Sequence, residues 1–495
     1  MKLLREIRDD VDSAFLQLPV FTTTELTNHG HFGFRSATQI EPLWNAFFLA
    51  TVIEAAEKIE LHRQPIDRVY SYRFAPDENK GSLFSSVGWR DFHQKGLSLA
   101  EEFEYVGVVD ISDFYGRIYH HRLENVLKTV CGCDGTLVKV VDRLLRRFNS
   151  GCSFGLPVGG PASRILAEAV LIRADKLLEV RRIEFLRFVD DYIIFGQSED
   201  DVHAAVHDLN KILLDNEGLT LNRTKTRIYP SNWYSQTSVF AGSNPNLPQK
   251  EREKREFFKV HLRYDPYSET AEEDYESLKL AVKKHDILGL LAYEIEKHPI
   301  DIYTVRQLIK AVVFMDHDEK TDAIFKLSGH LPKLAPVFTT LAKTFVRIRD
   351  DIRTDTANKF FAEIRRLIET RLPLIGASGT LAFAIRVLAV DPNPLAEATL
   401  QDIFNQPEIT PIVEREVILA MGRRNANSWI SNLRSRFSSI GSPWSKRALL
   451  ASSYILGDEG KHWRNSAKKT LGEHDKLLLD WIAEKNNGES WQFPV

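Results

Sequence analysis

From Phe185 to Gly196 the chain reads FLRFVDDYIIFG, two apolar runs separated by a pair of aspartates. Runs rich in Phe, Val, Ile and Tyr predict two buried strands with a tight turn at Asp190 and Asp191. Residues 104–110, EYVGVVD, predict another strand, which ends on Asp110. Ser112 or Asp113 can then cap a helix carrying Phe114, Tyr115 and Ile118. Upstream, residues 1 to about 60 read as mostly helical. The clearest case is 43–62, where Trp44, Phe47, Phe48 and Val52 follow helical spacing. Residues 67–74, DRVYSYRF, alternate like a strand and carry Arg68 and Arg73; 77–81 read as a turn and 91–104 as a polar helix. Downstream, Pro157, Gly159, Gly160 and Pro161 build a rigid turn before a helix from about Ala162 to the 180–182 region. Residues 199–218 form a further helix, and 219–229, LTLNRTKTRIY, alternate as a strand that presents Lys225.

Beyond about Gln249 the pattern becomes almost wholly helical. Val305, Leu308, Ile309, Val312 and Val313 fall on one face, as do Phe360, Phe361, Ile364, Leu367 and Ile368. Short helices at this spacing suggest stacked antiparallel pairs of the HEAT-like kind. Exact repeats are not visible, so a globular bundle stays open. The fold class is therefore an α+β N-terminal half followed by an all-α, HEAT-like C-terminal domain.

A chain of 495 residues, 43% hydrophobic and 27% charged, is long enough for two or three globular domains. A net charge of −3 excludes a globally basic nucleic-acid binder. Between Leu137 and Arg187, however, ten Lys/Arg face five Asp/Glu, and a basic surface beside an acidic centre suits a polyanionic substrate. Three cysteines make no disulfide framework, and Cys131-x-Cys133 lacks a second ligand pair for zinc. The opening MKLLREIRDD meets acids too early for a signal peptide, and the apolar run 43–56 is too short to span a bilayer and contains Glu54. A soluble protein of a reducing compartment is the expectation.

A buried hairpin with two carboxylates at its tip is costly unless a cation or donors compensate them. Mg²⁺ takes carboxylate oxygens and completes its shell with water and substrate phosphates. With Asp110 added, the three acids would make a two-metal site for in-line attack on phosphorus. Read alone, Asp110 equally begins a turn, Lys225 is a solvated strand-face lysine, and Tyr115 is a core aromatic.

The motifs VVDISDFYG, GLPVGGPAS, RFVDDYIIF and LNRTKT, in that order, together resemble a reverse-transcriptase palm, and DRVYSYRF resembles its fingers strand. The resemblance divides the chain into N-terminal helices and fingers (1–100), palm (101–245) and the helical domain (246–495). It implies a catalytic triad of Asp110, Asp190 and Asp191 holding Mg²⁺, with Mn²⁺ as an alternative. Asp110 and Asp190 would be the direct ligands and Asp191 the support. It further implies Lys225 as proton donor to pyrophosphate and Arg73 as a triphosphate clamp. Tyr115 would be the gate that selects dNTPs, while Asp113, Phe114, Pro157, Val158 and Gly159 line the nucleotide site. Two departures stand out: Val158 replaces the glutamine of LPQG, and no clear thumb follows Tyr229.

A palm with LPVG, no thumb and a long helical half resembles the bacterial abortive-infection reverse transcriptases of the AbiK and AbiA types. Their known properties imply anti-phage defence, template-free DNA synthesis started on a tyrosine of the protein, and covalently attached single-stranded DNA. They also imply a homo-oligomer, a trimer or hexamer, in the bacterial cytoplasm without a membrane partner. Which of the fourteen tyrosines would prime is not legible. An RNA-templated reverse transcriptase and a nucleotide-sensing scaffold stay open as alternatives.

Overall fold

The computed structural model describes residues 2–30, 33–79, 81–238, 240–241, 247–260, 262 and 271–486. It forms two compact units, one of Met1–Thr22 and Ala37–Leu247, the other of Thr23–Ser36 and Pro248–Val495. Each has its own core.

Helices take more than half of the first sixty residues, as expected, but a pair of strands interrupts them. Short helices α1 (Lys2–Asp9) and α2 (Val11–Gln17) lead into an antiparallel pair, β1 (Thr22–His29) and β2 (Gly33–Ile40). Gly30, at φ +67°, supplies left-handed backbone in the connection. Polar residues occupy both faces of these strands, so no apolar alternation announced them. Next comes α3 (Pro42–His62), opened by Pro42 and capped by the Glu41 carboxylate on the Leu43 and Trp44 N–H groups. It buries Trp44, Phe47, Phe48, Val52, Ala55 and Ile59.

Of the expected strand 67–74 only Phe74, the first residue of the next strand, is extended; residues 67–73 are not. They run as turns, with a single parallel bridge from Val69 to Arg187, and Tyr72 adopts φ +43°. A small hairpin, β3 (Phe74–Asp77) and β4 (Ser82–Phe84), follows, then α4 (Trp89–Leu99).

The centre of the unit is a four-stranded sheet containing β5 (Tyr105–Asp110), β6 (Glu184–Phe188), β7 (Asp191–Gly196) and β8 (Arg227–Pro230). Its order is β6-β7-β5-β8, and every neighbouring pair is antiparallel. Between β5 and β6 lie α5 (Phe114–Arg117), α6 (His120–Asn125), α7 (Gly135–Phe148) and α8 (Pro161–Val180). Pro161 at the first position and Gly160 as N-cap start α8, as the turn residues predicted. After the β6–β7 hairpin comes α9 (Glu199–Glu217). Ser198 caps it on Asp201 N–H, three acids occupy its first turn, and Gly218 ends it at φ +69°.

Both faces of the sheet are covered, which is why its strands read as continuous apolar runs rather than alternating ones. Alternation divides them. Phe185, Val109, Tyr192 and Ile194 pack with α8 and α9 in the main core. Leu186, Ile193, Phe195 and Val106 pack with Phe92 and Leu99 of α4 and with Tyr234, from α10 (Ser231–Thr237). The expected strand 219–229 is extended only at β8. Asn222 accepts from the Thr224, Lys225 and Thr226 N–H groups and folds the preceding stretch into a turn that carries Lys225.

The second unit is helical. After α11 (Gln249–Phe257) and α12 (Ala271–Val282) it continues with α13 (Ile287–Glu296), α14 (Ile302–Ala311), α15 (His317–Ser328), α16 (Phe338–Ile348), α17 (Thr354–Glu369), α18 (Ser378–Leu388), α19 (Leu395–Phe404) and α20 (Pro411–Arg423). It closes with α21 (Asn427–Ser435), α22 (Pro443–Ser452), α23 (Gly457–Ala467) and α24 (Glu473–Asn486). Helices α14, α16, α18, α20 and α22 each pack on the next of the series, and α13, α15, α17 and α19 do likewise. One apolar core runs through both rows. Buried Glu416 of α20 receives Arg386 of α18 at 2.8 and 3.0 Å. No helix among the described residues is long and apolar enough to cross a membrane.

Gly107 of β5 lies under α9. A Cβ there would stand 2.7 Å from Val202 Cγ1, and valine is stiff at χ1. Gly107→Ala is expected to lower stability by about 1–3 kcal/mol, read as an earlier denaturant midpoint with an unchanged m-value.

Candidate active site

Strand register brings the predicted acids together. Asp110, the last residue of β5, stands directly opposite Asp191, the first of β7. Asp190 occupies the two-residue turn before it, next to Val189 at φ +57°. The Ile111 N–H donates to the Asp190 carbonyl at 3.0 Å, tying the turn to the end of β5. A β-branched residue in left-handed backbone costs on the order of 1–2 kcal/mol, so this turn is held rather than merely adopted.

The electrostatics confirm the crowding. Burial first, then the charges of Asp190 and Asp110, together push the Asp191 carboxyl up to about 7 against the opposing pull of Lys225. Asp110 is buried, and its Oδ1 accepts from Lys225 Nζ at 2.7 Å. Lys225 reaches it from the turn after α9, where the Asn222 N–H also donates to the Asp110 carbonyl at 2.7 Å.

Among the described residues no three His, Cys, Asp or Glu side chains close into a cage for a metal ion. The donor chemistry nevertheless fits Mg²⁺: one or two carboxylates plus substrate phosphates are its usual set, and Asp191 records negative charge that Lys225 alone leaves uncompensated. Asp110, Asp190 and Asp191 could supply those oxygens. Cys131 and Cys133 are buried thiols, and burial drives Cys131 up to about 12, so neither behaves as a metal-binding thiolate.

The remaining predicted residues divide. Tyr115 is partly buried, and its hydroxyl is pushed well above the tyrosine range by burial and then by Tyr72, Glu168 and Asp190, which places it in the field of the acids. Its carbonyl accepts from the Leu156 N–H at 2.8 Å, joining it to the loop of Pro157, Val158 and Gly159. Pro157 is buried, Val158 half-buried, and Gly159 exposed at φ +127°. Asp113 is exposed in left-handed backbone at the start of α5, and its side chain makes no cap. Phe114 departs from expectation: the residue is 2% exposed and its ring belongs to the core. Arg73 departs too. Its guanidinium pairs with Glu60 at 2.5 Å and donates to the Gln64 carbonyl at 2.7 Å, so it anchors its own segment.

Sequence reasoning missed what lies behind the acids. Arg187, wholly buried, makes three bonds to Asp175 at 2.7–3.0 Å, pairs with Glu168 at 2.9 Å, and donates to the Val189 carbonyl at 3.0 Å. Burial alone would lower the pKa of Arg187; Asp175 and Glu168 outweigh it and keep the guanidinium charged. Tyr192 donates to Asp175 at 3.1 Å, and Ser71 and Arg63 bind Glu168 at 2.5 and 2.7 Å. The available signal was charge in apolar context: Arg187 inside FLRF, and Glu168 and Asp175 two turns apart on one face of a buried helix.

A carboxyl raised on folding stabilises below its unfolded pKa and loses that contribution as pH rises through the folded value, here between about 4 and 7. In metal-free buffer Asp191→Asn should therefore raise stability at pH 8, on the order of 4 kcal/mol, and change it little at about pH 3.5, below the unfolded pKa. Thermal melts of both proteins at the two pH values test this.

Comparisons with known proteins agree with the geometry. Residues 55–257 match the model for reverse transcriptase (RNA-dependent DNA polymerase). No curated protein matches the chain. Among solved structures, apo telomerase from Candida tropicalis aligns over 83% of this chain and 74% of its own, at 10% identity and a TM-score of 0.33. Telomerase from Candida albicans with a fragment of telomeric RNA aligns over 75% and 67%, at 12% identity and 0.32. Likeness of that degree carries no argument of its own. The chain thus carries a reverse-transcriptase domain over residues 55–257, the stretch that contains every acid of the site.

Proposed function

We propose that the protein is a nucleotidyltransferase that adds deoxynucleotides to a hydroxyl without copying a template, with a tyrosine of its own chain as the first acceptor. The observation that carries the transfer chemistry is the register pairing of Asp110 with Asp191 beside Asp190, with Lys225 2.7 Å from Asp110. Asp110 and Asp190 would hold Mg²⁺ and Asp191 would support them; when bound, the ions lower the pKa of the attacking hydroxyl and offset charge on the leaving pyrophosphate. The hydroxyl oxygen loses its proton to solvent as it bonds the α-phosphorus, the bond to pyrophosphate breaks, and Lys225 supplies a proton to the leaving group. Tyr115, beside the acids, would act as the gate whose ring excludes a ribose 2′-hydroxyl, which favours dNTPs. The backbone of Asp113 and Phe114 and the loop of Pro157, Val158 and Gly159 line the nucleotide. Arg73 acts in this reading by holding the fingers-like segment.

Template independence and protein priming rest on two features. Val158 offers no side-chain hydrogen bond where the usual glutamine would, and few residues separate α10 from the helical unit, which leaves little chain for a thumb. A covalent primer cannot dissociate, so a duplex clamp is unnecessary. The two helix rows of the second unit support its HEAT-like reading, a surface for assembly into a homo-oligomer or for phage or host components. In this reading, which rests on the resemblance to the abortive-infection reverse transcriptases, the protein acts in anti-phage defence in a bacterial cytoplasm, with single-stranded DNA as covalent product. RNA-templated synthesis is the competing reading, favoured by the family matched over 55–257.

Purified protein with Mg²⁺ and labelled dNTPs, lacking template and primer, should yield label that migrates with the polypeptide on a denaturing gel and is released by protease. Asp190→Ala should abolish it, Lys225→Ala should slow it about 10–100-fold, and Tyr115→Ala should admit ribonucleotides. Label only on an added primer–template sinks self-priming and promotes templated synthesis. No label under either condition leaves a nucleotide-sensing scaffold.

A further inference from the structure

The turn that presents Asp190 is fixed by two hydrogen bonds to its backbone. The Ile111 N–H holds the Asp190 carbonyl at 3.0 Å, which continues the sheet ladder. The other bond is of a different kind: Arg187 Nη1 holds the Val189 carbonyl at 3.0 Å from a site with no solvent exposure. Keeping a cation there is hard to explain by packing. A buried ion pair replaced by apolar residues of similar volume is often no less stable, so stability alone does not require Arg187 and Asp175. What an apolar pair cannot supply is a donor to the Val189 carbonyl, at the one residue whose φ of +57° opposes the turn.

The fork is also aimed. Asp175 takes Nε and Nη2 side on, which sets the guanidinium plane and leaves Nη1 for Glu168 and Val189. Alternation along β6 puts Arg187 on the α8 face, whereas its neighbour Phe188 shares the face of Asp191. Arg187 therefore acts on the turn through backbone, from beneath the acids.

We propose that Arg187 is a positioning residue whose fork, seated on Asp175 and Glu168, holds the left-handed turn that sets Asp190 and Asp191 at the end of the sheet. The proposal rests on the reading of those aspartates as catalytic, and its test separates the two. The full-length chain would carry Arg187→Met with Asp175→Leu, and Tyr192→Phe so that no hydroxyl is orphaned. Glu168 keeps Arg63 and Ser71. Three quantities are read: thermal unfolding, amide hydrogen exchange of peptides covering 184–196, and kcat and KM for dNTP incorporation.

The expected result is cooperative unfolding at or above the wild-type temperature, with faster exchange confined to the turn peptides. kcat should fall about 10–100-fold with a smaller change in KM, the scale set by misplacing a reacting group by about 1 Å. Adding Val189→Gly, which accepts positive φ without strain, should restore most of the lost kcat. A folded variant with wild-type exchange and wild-type kcat overturns the proposal, and so does a loss of kcat that Val189→Gly leaves untouched. Should the variant fail to fold, Arg187→Lys is judged by the same readouts: it keeps the charge, but a single ammonium cannot reproduce the fork. If wild type and Asp190→Ala both incorporate nothing, the catalytic reading fails, and the exchange of the turn peptides alone decides the role of Arg187.

Discussion

Like charges crowded at the end of an apolar sheet repel one another, and much of the N-terminal unit answers that repulsion. Asp110 and Asp191 face each other across two strands, with Asp190 in the adjoining turn. One lysine reaches Asp110, and the Asp191 carboxyl is driven up to about 7. A cluster like this is unfavourable for folding, and a cation seated among the carboxylates would offset it. The cost is tolerable because the ladder continues through Ile111 and Asp190 and because the strands below are covered on both faces.

That double coverage makes alternation decisive. A one-residue shift in β6 would take Arg187 away from Asp175 and Glu168 and place it among Phe92, Leu99 and Ile193. The buried charges thus tie the strand to α8 in a single register. Around Glu168 the same network gathers Arg63 and Ser71, so the segment before β3, the helix after the glycine turn and the acid hairpin meet at one carboxylate. Three arginines (Arg63, Arg73, Arg187) face three acids (Glu60, Glu168, Asp175), a balance that lets so many ions leave water together.

The helical unit is built on other terms. Its core is mainly apolar, and order comes from each helix packing on the next of its row, with ion pairs such as Arg386–Glu416 linking neighbours. Contacts of that kind join elements near in sequence. The four-stranded sheet, by contrast, pairs β5 with strands on either side that lie far along the chain.

What could be read from sequence follows the same division. The apolar runs around Asp190, the strand ending at Asp110, the Gly160–Pro161 helix start and the helical C-terminal half were all legible, because each is dictated by short-range periodicity or turn chemistry. The β1–β2 hairpin was not, since its polar residues stand on both faces. Nor were the turns at 67–73 and 222–226, where side chains of Arg63, Arg73 and Asn222 take backbone groups that a strand would have paired. Phe114 as a core ring, Arg73 as an anchor and Arg187 beneath the acid turn depend on which distant residues become neighbours. The order of the sequence motifs led to the expectation that three carboxylates meet. Only the tertiary structure decided what holds them, because the compensation of buried charge is a property of space and not of spacing along the chain.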